Sequence, residues 1–191
     1  MTMDASAQPT APSSAEPTAP SGTDGAGAAC STHRTALAVA LPRRLLIIAC
    51  TATQRPDVRL LPALERYHGP SVRVVRRWLS DHPEGALHLD VYVLSAEFGL
   101  IPAIQPIPTY DRSMTTSRAR ALRDQVRTTL TQVCARCSYA DSYLSAGKRY
   151  REALGDPRTL VGLPSLTTAP EGAEIGRQLT ALKRWLMTEA R

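Results

Sequence analysis

A chain of 191 residues, 43% of them hydrophobic, holds enough apolar side chain for one packed domain, and a net charge of +6 separates it from acidic, solvating sequences. Four cysteines exclude a disulfide framework of the small secreted kind, and no apolar run reaches the length of a membrane span. Only Lys148 and Lys183 are lysines, so the positive charge is carried almost wholly by arginine forks, which suit phosphate and carboxylate.

Residues 1–42 are Ala, Pro, Ser, Thr and Gly in phrases such as AQPTAPSSAEPTAPSGTDGAGAA. They bury too little apolar surface to offset chain entropy, which predicts a disordered tail ahead of a single domain over 43–191. With Asp4 and Glu16 among small polar residues the tail lacks the build of a secretory signal, and a cytoplasmic location without membrane anchoring is expected. One arginine stands against three acids in this tail, leaving a net +8 on the remainder. The folded part is the basic part.

Strands are predicted at LLIIAC (45–50), LDVYVLSA (89–96), SYLSA (142–146) and TLVGL (159–163). Between the first two, SVRVVRRWLSD (71–81) sets Val72, Val75, Trp78 and Leu79 on one face, opposite Arg73, Arg76 and Arg77. A longer helix is expected over 115–137, with Ala121, Val126, Leu130 and Val133 inward and Arg118, Arg120, Arg123 and Arg127 outward. Further helices are expected from Lys148 and over 172–189. Strands alternating with helices predict an α/β domain with a mostly parallel sheet flanked by helices. The Pro-rich EFGLIPAIQPIPTYDRSM after the second strand reads as a long loop, the kind of segment that carries function.

Parallel strands share one carboxyl edge, and three of them deliver polar residues there. The first brings Cys50, Thr51 and Thr53, the second Ser95 and Glu97 with a turn at Gly99, the third Ser145 with Gly147 and Lys148. Gly147 opens a helix whose amides suit an anion. Tyr110 and Asp111 arrive from the Pro-rich loop. Two carboxylates fit N-glycosidic cleavage, one protonating a leaving base while the other stabilises an oxocarbenium-like sugar or activates water. Asp111 and Glu97 are the candidates, against a helix N-cap for Asp111 and a solvated loop acid for Glu97. Cys50 is read either as a packing residue or as a nucleophile without a partner histidine.

No GxSxG elbow and no Walker loop is present. CARC (134–137) is a lone CxxC and the histidines are scattered, so no metal or other cofactor is called for.

The ordered set LIIACTATQ, RYHGP, YVLSAEFGLIP with IPTYDRSM, LSAGKRYREAL and GAEIGRQLTALKRWL resembles the YaaA-like superfamily over roughly Leu45 to Leu186. Carried over by motif, the resemblance nominates Cys50, Thr51, Tyr67, Gly69, Ser95, Gly99, Tyr110, Asp111, Gly147 and Tyr150. Gln54 stands where that pattern has lysine. The resemblance implies chemistry on nucleobases of tRNA or DNA, or DNA binding in a peroxide-stress response.

The leading expectation is therefore an enzyme acting on a nucleobase, nucleoside or nucleotide. The alternatives are a DNA- or RNA-binding protein using Arg118, Arg120, Arg123, Arg127, Lys148, Arg149 and Arg151 on phosphates, and an interaction protein recruiting a partner through its tail.

Overall fold

The computed structural model describes residues 43–156, 163 and 166–188. The predicted tail over 1–42 lies outside them, as does the predicted strand over 159–163 apart from Leu163. The first strand, β1 (Arg43–Ala49), has five consecutive buried residues, Arg44 to Ile48. Such a run requires cover on both faces, and β1 accordingly takes the middle of the sheet.

It pairs in parallel with β3 (Leu89–Ser95) on one side and β6 (Tyr139–Ser145) on the other, Ile47 standing between Tyr92 and Leu144. A short parallel strand, β7 (Leu166–Thr168), follows β6, and β4 (Gly99–Pro102) pairs antiparallel with β3. The order is β4-β3-β1-β6-β7. The domain is α/β with a mostly parallel sheet.

The helices follow from this order. From β1 the chain crosses to β3 through α2 (Pro70–Asp81), whereas the crossover to β6 runs the opposite way through α4 (Thr116–Arg136), and α5 (Lys148–Leu154) continues to β7. Right-handed crossovers then place α2 on one face and α4 with α5 on the other. The contacts agree, since α4 packs on α5 and α2 on α6 (Ile175–Met187). The reversal of winding beside β1 opens a crevice at its carboxyl end, between β1 and β6.

Two expectations need correction. The stretch after the second strand is not all loop. Gly99, at φ +73°, makes the turn that lets Leu100 and Ile101 return beside Leu94 and Val93 as β4. Its length and the proline at its end hid it. In α4 the buried stripe is Ala119, Leu122, Val126, Leu130 and Val133, while Ala121 is exposed.

Among the described residues two arginines are interior. Arg66, at the end of the one-turn helix α1 (Ala63–Arg66), is fully buried and donates to the carbonyls of Arg55, Asp57, Arg59 and Ile107. Those four carbonyls, reached by five hydrogen bonds, fasten the segment that leaves β1 against β5 (Pro106–Ile107), which pairs with β2 (Leu61–Pro62). Arg44 lies 3.8 Å over the Trp185 ring and donates to the carbonyls of Trp185 and Thr188 at 2.6 and 2.7 Å, capping the end of α6 from within the sheet. Among the described residues, no helix is long and apolar enough to cross a membrane.

Candidate functional site

The crevice beside β1 holds a cavity of about 380 Å³, lined by Cys50, Thr51, Ala52 and Gln54 after β1, Tyr110 to Met114 ahead of α4, and Gly147 to Tyr150 after β6. Its volume falls in the range of small-molecule pockets, about 300 to 1,000 Å³. A somewhat larger cavity, about 430 Å³, lies between α2 and α6, where Val74, Trp78, Leu179 and Leu186 dominate its walls. The strand-end cavity is the candidate site because polar side chains from three separate segments converge there.

Behind it stands a chain of hydroxyls. Tyr67 donates to Ser95 Oγ at 3.1 Å, and the Ser95 and Tyr110 hydroxyls lie 3.0 Å apart. Ser95 Oγ also receives the N–H groups of Glu97 and Phe98 at 3.1 and 3.2 Å, so its own proton is left to pass on to Tyr110. Tyr110 in turn donates to Cys50 Sγ at 3.5 Å, and Tyr150 OH reaches the same sulfur at 3.1 Å. The thiol thus lies between two phenols, at the boundary of core and cavity, with 7% of its surface exposed. It packs in the core, as the first of its sequence readings has it, and also lines the cavity.

Burial, aided by the adjoining Cys50 sulfur, raises the hydroxyls of Tyr110 and Tyr150 well above the ordinary phenol value. Tyr67 is pushed up to about 12, again by burial. All three phenols therefore remain protonated donors at neutral pH. Edge-to-face contacts of Tyr110 with Tyr67 and Phe98, at 6.3 and 5.3 Å between centroids, fix its ring.

The two carboxylates separate. Glu97 accepts from Arg112 Nε at 2.6 Å and is not part of the cavity wall. Asp111 lines the cavity and is not the N-cap of α4, because the Thr115 side chain fills that role by accepting from the Arg118 N–H at 3.1 Å. Among the described residues the side chains of Asp111, Lys148 and Arg149 have no hydrogen-bond or ion-pair partner.

Gly69 lies under the rim. A Cβ there would come within 2.1 Å of Thr51 Cγ2, so glycine is what lets Thr51 sit against the start of α2. Gly99 is set apart, closing the β3–β4 turn beside Gln125.

The arginines nominated for phosphates divide. Arg118 donates to the Ala96 and Glu97 carbonyls, Arg123 to that of Glu152, and Arg151 to those of Ala146 and Ala169 while pairing with Glu171. These three brace the fold. Arg120 and Arg127 remain on α4, away from the cavity wall, while Lys148 and Arg149 stand in it.

Sequence reasoning missed Arg112 and the work of Gln54, whose amide Nε2 donates to the Tyr110 carbonyl at 2.9 Å. Arg112 follows Asp111 directly in TYDRSM, and that adjacency was the available signal. Gln54 gave none, since its partner is a backbone 56 residues away.

No curated protein and no solved structure matches the chain. Residues 45–184, which include every segment of the cavity wall, match the model of a family of unknown function, DUF6884, and the chain belongs to that family.

Proposed function

We propose that the chain is an enzyme acting on the N-glycosidic bond of a nucleoside, by cleavage or base exchange, in the cavity between β1 and β6. The observation that carries the reading is Asp111, an unpartnered carboxylate in the wall of a nucleoside-sized cavity at the winding reversal of the sheet. The YaaA-like motif order supports the same substrate class.

Asp111 stabilises the positive charge that grows on the sugar as the C1′–N bond breaks and the electron pair leaves with the base. In hydrolysis a water oxygen bonds to C1′, its proton passes to Asp111, and the base takes up a proton in turn. Tyr150, held protonated by burial, is the donor to the bound base or sugar, since the Tyr110 proton is already directed to Cys50 and the thiol can donate its own to Tyr150. Glu97 acts through Arg112, which it holds at the cavity edge, rather than on the substrate.

Purified protein is incubated with the common nucleosides, nucleotides and a modified-base panel, and free base is followed by mass spectrometry. Release by the native chain that falls about a hundredfold or more in Asp111→Asn, the scale of losing an acid–base group, supports the reading. Undiminished turnover in Asp111→Asn removes it.

A further inference from the structure

The charge in the cavity wall is unbalanced. Arg112 is compensated by Glu97, but Lys148 and Arg149 together face only Asp111, and none of these three has a partner among the described residues. A neutral base or nucleoside offers nothing to two cations. Resting on the function proposed above, we propose that the substrate is a nucleoside monophosphate whose phosphate is held by Lys148 and Arg149, with Asp111 left for the sugar end.

Two observations favour this ligand. Lys148 and Arg149 are consecutive, at the start of α5, and line the cavity from a different segment than Asp111, so one ligand in the cavity can meet both the cations and the carboxylate. A Cβ on Gly147 would meet nothing within 4 Å, so the space beside the two cations is open to a phosphate. With only seven residues in α5, the anion is drawn by the side-chain charges rather than by the helix end.

A polynucleotide fits less well. It needs cations spaced along a track, and Arg118, Arg123 and Arg151, the residues that would extend one, already serve carbonyls of their own chain. Among the described residues Arg120 and Arg127 are uncommitted but lie outside the cavity wall, so the cavity itself offers cations for one phosphate.

The full chain is titrated calorimetrically with adenosine, guanosine, cytidine and uridine, with the monophosphate of each, and with a short single-stranded oligonucleotide. At least one monophosphate is expected to bind about tenfold or more tightly than its nucleoside, with the advantage declining as salt rises. That advantage is lost in Lys148→Ala/Arg149→Ala and kept in Arg177→Ala/Arg184→Ala, which removes equal charge from exposed positions of α6. Gly147→Leu, which fills the open space without a backbone penalty at φ −74°, weakens the monophosphate more than the nucleoside.

Equal binding of nucleoside and monophosphate overturns this inference and leaves the nucleoside enzyme standing. An oligonucleotide that binds as tightly as the best monophosphate overturns it in favour of nucleic acid. Absence of both binding and base release removes the proposed function itself, and this inference with it.

Discussion

The side-chain amide of Gln54 pairs with the backbone of Tyr110 as one strand pairs with another, Nε2 donating to the carbonyl at 2.9 Å and Oε1 accepting the N–H at 3.3 Å. The segment leaving β1 is thereby joined to the loop that carries Asp111, and Gln54 also bridges to Tyr67, which lies in the hydroxyl chain.

Gln54→Ala leaves two backbone groups of Tyr110 without partners and is expected to cost about 1–3 kcal/mol in urea unfolding. Gln54→Glu keeps an acceptor for the N–H but sets a carboxylate against the carbonyl, so it recovers only part of the loss. A change below about 0.5 kcal/mol in Gln54→Ala, the scale of an ordinary surface substitution, would show that the pair does not hold the loop.

The contact between Gly69 and Thr51 yields a second test. Gly69→Ala drives a methyl into Thr51 Cγ2 and costs about 1–3 kcal/mol by overpacking. Thr51→Ala relieves this in part, because Thr51 Cβ is itself 2.9 Å from the added carbon, and Thr51→Gly relieves it more fully. The coupling is read from a double-mutant cycle of unfolding midpoints, and strictly additive effects would contradict the contact.

The buried phenols set the alkaline limit. Tyr67 rises from an ordinary 10.0 to about 12, and Tyr110, Tyr139 and Tyr150 are also raised, chiefly by burial. The folded chain keeps protons there that the unfolded chain has already released, so stability is fully present below pH 10 and declines as pH climbs toward 12. Phenolate absorbance should show these tyrosines ionising late and together with unfolding. A single early titration of all six tyrosines in a still-folded protein would contradict it.

What could be read from the sequence was periodic. The run LLIIA and the stripe of α2 each state their burial within a dozen residues, and the converging strand ends follow from parallel order. Asp111, Cys50, Thr51, Tyr110 and Gly147 follow from that logic and Tyr150 from the motif resemblance, and all six share one cavity. Glu97 was named beside them, yet a neighbouring guanidinium claims it. The unread part is tertiary. Whether an arginine faces solvent or a carbonyl depends on a partner tens of residues away, as with Arg66, Arg118 and Arg151, and a four-residue strand such as β4 leaves no period to detect.

Arg44 ties the order of synthesis to the order of folding. It sits in the central strand, the first described strand to leave the ribosome, while its carbonyl acceptors lie 141 and 144 residues later. A nascent chain shorter than Trp185 can pair that guanidinium with Asp141 of β6, 3.2 Å away in the finished fold, but has neither the ring that covers it nor the helix end that receives its protons. The surroundings of Arg44 are therefore complete only once α6 has docked.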